Sequence, residues 1–96
     1  MKEKLYEYDF LEHIDDAEAL RIFLEDAFAT NDAGHIAKAL GLAARSKGMT
    51  EIAEKAGLSR EQLYKSLSGK GNPTLKTLLS VLDAMDFGIK PHRRSA

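Results

Sequence analysis

Met49-Thr50-Glu51-Ile52-Ala53-Glu54-Lys55-Ala56-Gly57-Leu58-Ser59-Arg60-Glu61-Gln62-Leu63-Tyr64-Lys65-Ser66-Leu67-Ser68 is the stretch on which the fold turns. Thr50 opens a short helix with Ile52, Ala53 and Ala56, and Gly57 closes it after fewer than three turns. Ser59 opens another almost at once. Ser59 followed three residues later by Gln62 forms a capping box, and Leu58 with Leu63 forms the matching hydrophobic staple, so two independent signals fix one helix start. Gly57 supplies the left-handed conformation that a tight turn needs. Small Ala53 lets the two helices approach, while Ile52, Leu58, Leu63 and Leu67 form the wedge between them. Two short helices joined by Gly57-Leu58-Ser59 have the pattern of a helix-turn-helix. A plain helical hairpin with no further role has the same pattern.

The flanking segments are helical too. Asp15-Asp16-Ala17-Glu18 offers capping acids, after which Leu20, Phe23, Leu24, Ala27 and Phe28 recur with helical period to about Thr30-Asn31. Asp32 can cap the next helix, with Ile36, Ala39, Leu40 and Ala43 as its buried stripe and Gly48 as its terminator. Gly41 in its interior weakens it. Beyond the central motif, Gly69-Lys70-Gly71-Asn72-Pro73 is a loop, and Thr74 opens a last helix with Leu75, Leu78, Leu79, Leu82 and Met85 inward, ended by Gly88. At the other end, Tyr6, Tyr8 and Phe10 share one side of an extended Leu5–Phe10, suiting a short strand or a packed arm. The expectation is an all-α, five-helix bundle over residues 15–90 with its helix-turn-helix at 49–68. A short extended arm occupies residues 1–14, and a mobile basic tail with Pro91 and His92-Arg93-Arg94 occupies residues 91–96.

Composition narrows the classes. The 96 residues suffice for one core, and 44% hydrophobic with 30% charged residues is the balance of an ordinary globular domain. There is no cysteine, which removes disulfides, thiolate metal sites and thiol nucleophiles. No segment approaches 18 apolar residues and the first residues lack a signal-peptide pattern, so a cytoplasmic protein with no membrane partner is expected. A net charge of −1 conceals an asymmetry: Met1 to Gly34 carries ten acidic against three basic residues, and His35 to Ala96 eleven basic against five acidic. The second part suits a polyanion and the first a cationic partner, although two solvated faces of unlike sign would look the same.

With Leu63 and Leu67 inward, an advance of about 100° per residue sets Glu61 and Lys65 on the outer side, with Gln62 and Tyr64 flanking. Arg60, Glu61, Gln62 and Lys65 are the candidate base readers, since Arg and Lys pair with guanine, Gln with adenine and Glu with the cytosine amino group. An i, i+4 ion pair between Glu61 and Lys65 is the competing role. Lys47, Ser59, Tyr64, Ser68, Lys70 and Asn72 are the candidate phosphate contacts. Catalysis is not expected: His13 and His35 have no spaced metal-ligand partner, and Gly69-Lys70-Gly71 lacks the spacing of a phosphate-binding loop. No catalytic residue, metal or cofactor is assigned.

From Gly48 to Ser68, continued by Gly71-Asn72-Pro73, the sequence resembles the addiction-module antidote family, HigA-like antitoxins within the wider Cro and phage-repressor-like class. The resemblance extends back through Ala39-Leu40-Gly41 and Ala44-Arg45 to about Tyr8-Asp9, and forward to about Ile89. It implies an antitoxin that neutralises a basic RelE-like ribonuclease and represses their shared operon as a homodimer on an inverted-repeat operator in double-stranded DNA. Arg60, Glu61, Gln62 and Lys65 occupy its DNA-reading positions. The acidic residue at position 61 departs from the pattern and would narrow the accepted bases or weaken binding. Tyr6, Tyr8 and Phe10 are candidate toxin contacts. Two alternatives stay open: a toxin-binding module whose helix-turn-helix is only scaffold, and a general repressor with no toxin.

Overall fold

The computed structural model describes residues 16–95. The proposed arm, with Tyr6, Tyr8, Phe10 and His13, lies outside them. Five α-helices, and no strand, are present among the described residues: α1 Ala17–Ala29, α2 Ala33–Lys47, α3 Met49–Ala56, α4 Arg60–Ser66 and α5 Leu75–Ala84. Helix starts follow local chemistry. The Asp16 carboxylate accepts from the Glu18 N–H (3.0 Å), Asp32 from Gly34 and His35 (3.0 and 3.2 Å), and the Thr74 hydroxyl from Thr77 (3.1 Å).

Two helices end in the same six-residue device. At the end of α3, Gly57 is left-handed (φ 74°), and the Leu58 N–H donates to the Ala53 carbonyl. At the end of α5, Asp86 takes the left-handed place (φ 65°) and Phe87 donates to Leu82. Both are Schellman closures, which need one residue of positive φ. Asp86 therefore ends α5 where Gly88 was expected, because a short polar side chain tolerates that conformation. Gly48 (φ 108°) both terminates α2 and precedes α3, so α3 starts at Met49, with Thr50 already inside its first turn.

The core draws on every helix: Leu20 and Leu24, Leu40 and Ala44, Ile52 and Ala53, Leu63, then Val81, Leu82 and Met85. No polar or charged residue is buried among those described. Burial on α2 extends to Ala37 and Ala44, while Ile36 is only half-buried. α1 packs on α2 and α3 on α5, with α4 reaching both α2 and α3. Gly41 has a positive role, since a Cβ there would lie 2.7 Å from the Leu67 carbonyl oxygen. The missing side chain lets α2 close on the end of α4. Two inward assignments on α5 are corrected: Leu75 is 67% exposed and Leu79 45%, while Val81 is fully buried. Leu75 lies on the same side of the helix as buried Leu82 but stands at its first position, Leu79 lies at the edge of the apolar arc, and the core takes Leu78, Val81, Leu82 and Met85.

Candidate nucleic-acid interface

α4 has seven residues, too few to be stable alone, so its order comes from its supports. The Ser59 hydroxyl accepts from the Gln62 N–H at 3.0 Å, and the Gln62 side-chain oxygen accepts from the Ser59 N–H at 2.9 Å. Leu58 packs on the core that holds Leu63, as a staple requires. Leu63 and Leu67 are sealed inside, at 0% and 4% exposure. This fixes the helix rotation and turns Glu61, Lys65 and Ser68 outward, all of them exposed.

The outward side chains differ in readiness. Arg60 folds along the helix with its guanidinium carbon 5.8 Å from the centroid of the Tyr64 ring, a cation–π distance, and its Nη2 lies 3.5 Å from the Tyr64 hydroxyl. The half-exposed ring thus holds the arginine at the outer surface. Gln62 already spends its carbonyl on the cap, so a bidentate contact with adenine would compete with that bond. Glu61 and Lys65 form no ion pair within 4.0 Å; the pair formed on the neighbouring helix is Lys55 to Glu51, at 3.3 Å. Ser68 donates its hydroxyl to the Lys65 carbonyl at 3.2 Å.

Beside this surface an open groove of about 490 Å³ runs between α2 and the end of α4. Leu42, Met49 and Leu67 make its apolar floor, and Lys38, Arg45 and Lys70 stand around it with Tyr64 and Ser68. Three of the residues assigned to phosphate, Tyr64, Ser68 and Lys70, come together here; Lys47, Ser59 and Asn72 are exposed but do not line it. Lys38 and Arg45 were missed by the sequence reading. Their signal was present: a spacing of seven on α2, with Leu42 one turn from Lys38, puts them within about 20° of each other around the helix. Gly71 helps shape the loop that brings Lys70 in, because a Cβ there would strike the Ser66 and Lys65 carbonyl oxygens.

No group of three or more histidine or carboxylate side chains among the described residues could hold a metal ion. None of the described helices is long and apolar enough to cross a membrane. No solved structure matches the chain at a significant level. An uncharacterized protein of Haemophilus influenzae is 41% identical over 87 residues, covering 91% of this chain and 90% of that protein. The model of a family described as "Probable addiction module antidote protein" matches residues 4–93, which takes in α1 to α5 and the whole surface described above. On that match, the chain belongs to the family of probable addiction module antidote proteins, which implies a toxin as its partner.

Proposed function

We propose that the chain is a DNA-binding antitoxin of the cytoplasm, reading an inverted-repeat operator as a homodimer, repressing the operon that encodes it and neutralising a RelE-like ribonuclease. In this reading α3 and α4 form a helix-turn-helix within a phage-repressor-like domain of residues 15–90, with an arm at 1–14 and a basic tail at 91–96.

The observation that carries it is the outward side of α4. A short helix with a sealed inner side and exposed Arg60, Glu61, Tyr64, Lys65 and Ser68 suits a major groove about 12 Å wide. Arg60 and Lys65 would read guanine, and Glu61 a cytosine amino group, narrowing the sequences accepted. Gln62 reads adenine only if its cap opens. Lys38, Arg45 and Lys70 around the adjacent groove would seat one phosphate strand, with Lys47, Ser59 and Asn72 adding contacts along it. A titration against a promoter fragment from the chain's own operon, at two salt concentrations, tests this. Affinity should fall steeply with salt as counterions are released; a flat response overturns the DNA reading.

The toxin half rests on family membership and on the acidic excess of Met1 to Gly34. Arg21, the one cation of α1, is clasped by Glu18 and by Glu25 (2.7 Å), and these two carboxylates hold its guanidinium above its ordinary range. With three acids, Glu18, Glu25 and Asp26, against this single cation, α1 keeps a net negative charge, and Asp26 is exposed outside the cluster. Opposite charge would speed the encounter with a basic toxin, and Tyr6, Tyr8 and Phe10 would supply the anchoring contacts. A second reading, a toxin-binding module with α3 and α4 as scaffold, is favoured by the carboxylate of Glu61 on the outward side.

A further inference from the structure

Leu75, at 67%, is the most exposed of the large apolar side chains that stand in solvent among the described residues, and Leu79, one turn on, is 45% exposed. Neither belongs to the core that α5 builds with Val81, Leu82 and Met85 where it packs on α3, so these leucines form an apolar ridge at the edge of that core. We propose that this ridge is the twofold interface between two copies of the chain, made by antiparallel packing of α5 on α5. The proposal rests on the dimeric reading given above and assigns its dimer a surface.

The charges flanking the ridge argue for a second copy. Lys76 and Asp83 are both exposed, and neither is spent on an ion pair among the described residues. Seven residues apart, they lie within about 20° of each other around the helix, on the same edge of the ridge. They bracket Leu79 by three residues on one side and four on the other. Consider a twofold axis at Leu79, perpendicular to an antiparallel helix pair. It leaves each edge facing the same edge of the other copy and reverses the direction along the helix. Lys76 then meets the partner's Asp83 with an axial offset of about 1.5 Å, and the symmetry makes the contact twice. A parallel twofold pair would instead set this edge against the opposite edge of the partner helix, and Lys76 would not meet Asp83. The helix is thus self-complementary in one orientation, as an isologous interface demands. Leu79 meets its own copy at the axis, and Leu75 flanks it.

A helix pair of this length buries less than a standard interface, so the free dimer should be weak, with a Kd on the order of micromolar, and should tighten on a DNA bearing both half-sites. Sedimentation equilibrium of the full chain, with thermal melts alongside, tests the surface. Leu79→Glu should raise the dimer Kd by about 100-fold or more, because it removes two apolar side chains and sets two like charges at the axis. Lys76→Glu and Asp83→Lys should each raise it about threefold to tenfold, and the double variant should return it to within about twofold of the original. A parent chain that stays monomeric at millimolar concentration overturns the proposal. So does a dimer unmoved by Leu79→Glu and by both single reversals, although operator reading would survive that result. Conversely, a dimer broken by Leu79→Glu that never binds the promoter fragment keeps this surface and removes the DNA reading. If Leu79→Glu lowers the melting temperature without changing the mass, the chain itself covers the ridge and the proposal fails.

Discussion

Gly41→Ala separates helix propensity from packing. In the middle of an exposed helix, glycine to alanine should stabilise by about 1 kcal/mol. Gly41 is buried, however, and its new Cβ would sit 2.7 Å from the Leu67 carbonyl oxygen and 3.5 Å from the Leu67 Cβ. The first partner is backbone at the end of α4, so it cannot swing aside as a flexible side chain would. Overpacking of this kind costs about 1–3 kcal/mol, which outweighs the propensity gain and leaves a net loss of about 1 kcal/mol, at most about 2. For a domain of this size, each kcal/mol lowers Tm by roughly 4–8 °C. Gly69→Ala is the contrast. Its Cβ meets nothing within 4 Å and its φ lies outside the left-handed range, so it should be neutral or stabilising by about 0.4–1 kcal/mol through the unfolded chain. Urea melts at constant m-value measure both. Sequence alone ranks the two the other way round. A Gly41→Ala protein more stable than the parent would refute the close approach of α2 and α4.

Arg60→Ala and Lys65→Ala should each cost about 1–3 kcal/mol on the cognate operator and relax specificity at particular bases, measured by titration against a panel of single-base variants. Lys38→Ala, Arg45→Ala and Lys70→Ala should instead weaken all sequences alike and reduce the salt slope by about one each. Gln62→Ala should lower stability by about 1 kcal/mol through loss of the reciprocal cap; a specificity change with unaltered Tm would mean that the side chain reads DNA. Deleting residues 1–10 should abolish rescue from the neighbouring toxin while Tm and DNA binding persist, and a truncated chain that still rescues growth would remove the arm from the toxin interface.

Features written within one turn of chain were legible in the sequence. Asp16, Asp32, Ser59 with Gln62, and Gly57 each act on residues two to five positions away, so their roles follow from spacing alone. What depends on a distant partner was not legible. The four leucines of α5 lie on one broad apolar arc, and only the packing of α5 on α3 decides which part of it is core. Gly41 reads as a weak point until Leu67 is placed against it. Gly88 was the expected end of α5, and Asp86 with the hydrogen bond from Phe87 to Leu82 takes that place two residues earlier. Within the candidate site, the outward set on α4 followed from Leu63 and Leu67 alone. The groove did not, because it joins α2 to a loop about 30 residues away in sequence.

This division also says where binding and stability come apart, and Glu61 is the sharpest case. Every support of α4 lies on its inner side or at its ends: the cap at Ser59, Leu63 and Leu67 in the core, Gly41 and Gly71 behind them. Leu63→Ala should therefore cost about 2–5 kcal/mol of stability and take the whole outer surface with it. Glu61 touches none of these supports and is not ion-paired to Lys65, so Glu61→Gln should leave stability within about 0.5 kcal/mol. On the proposed reading of α4, its effect falls on DNA instead. A carboxylate facing phosphates repels every sequence, and it compensates only where it accepts from a cytosine amino group. Neutralising it should then raise affinity for random DNA while costing the cognate operator about 1–3 kcal/mol, so that the ratio between them collapses. Fluorescence anisotropy on both DNAs at one salt concentration measures that ratio. If affinity instead rises equally on the two, Glu61 only repels, and base reading on α4 belongs to Arg60 and Lys65.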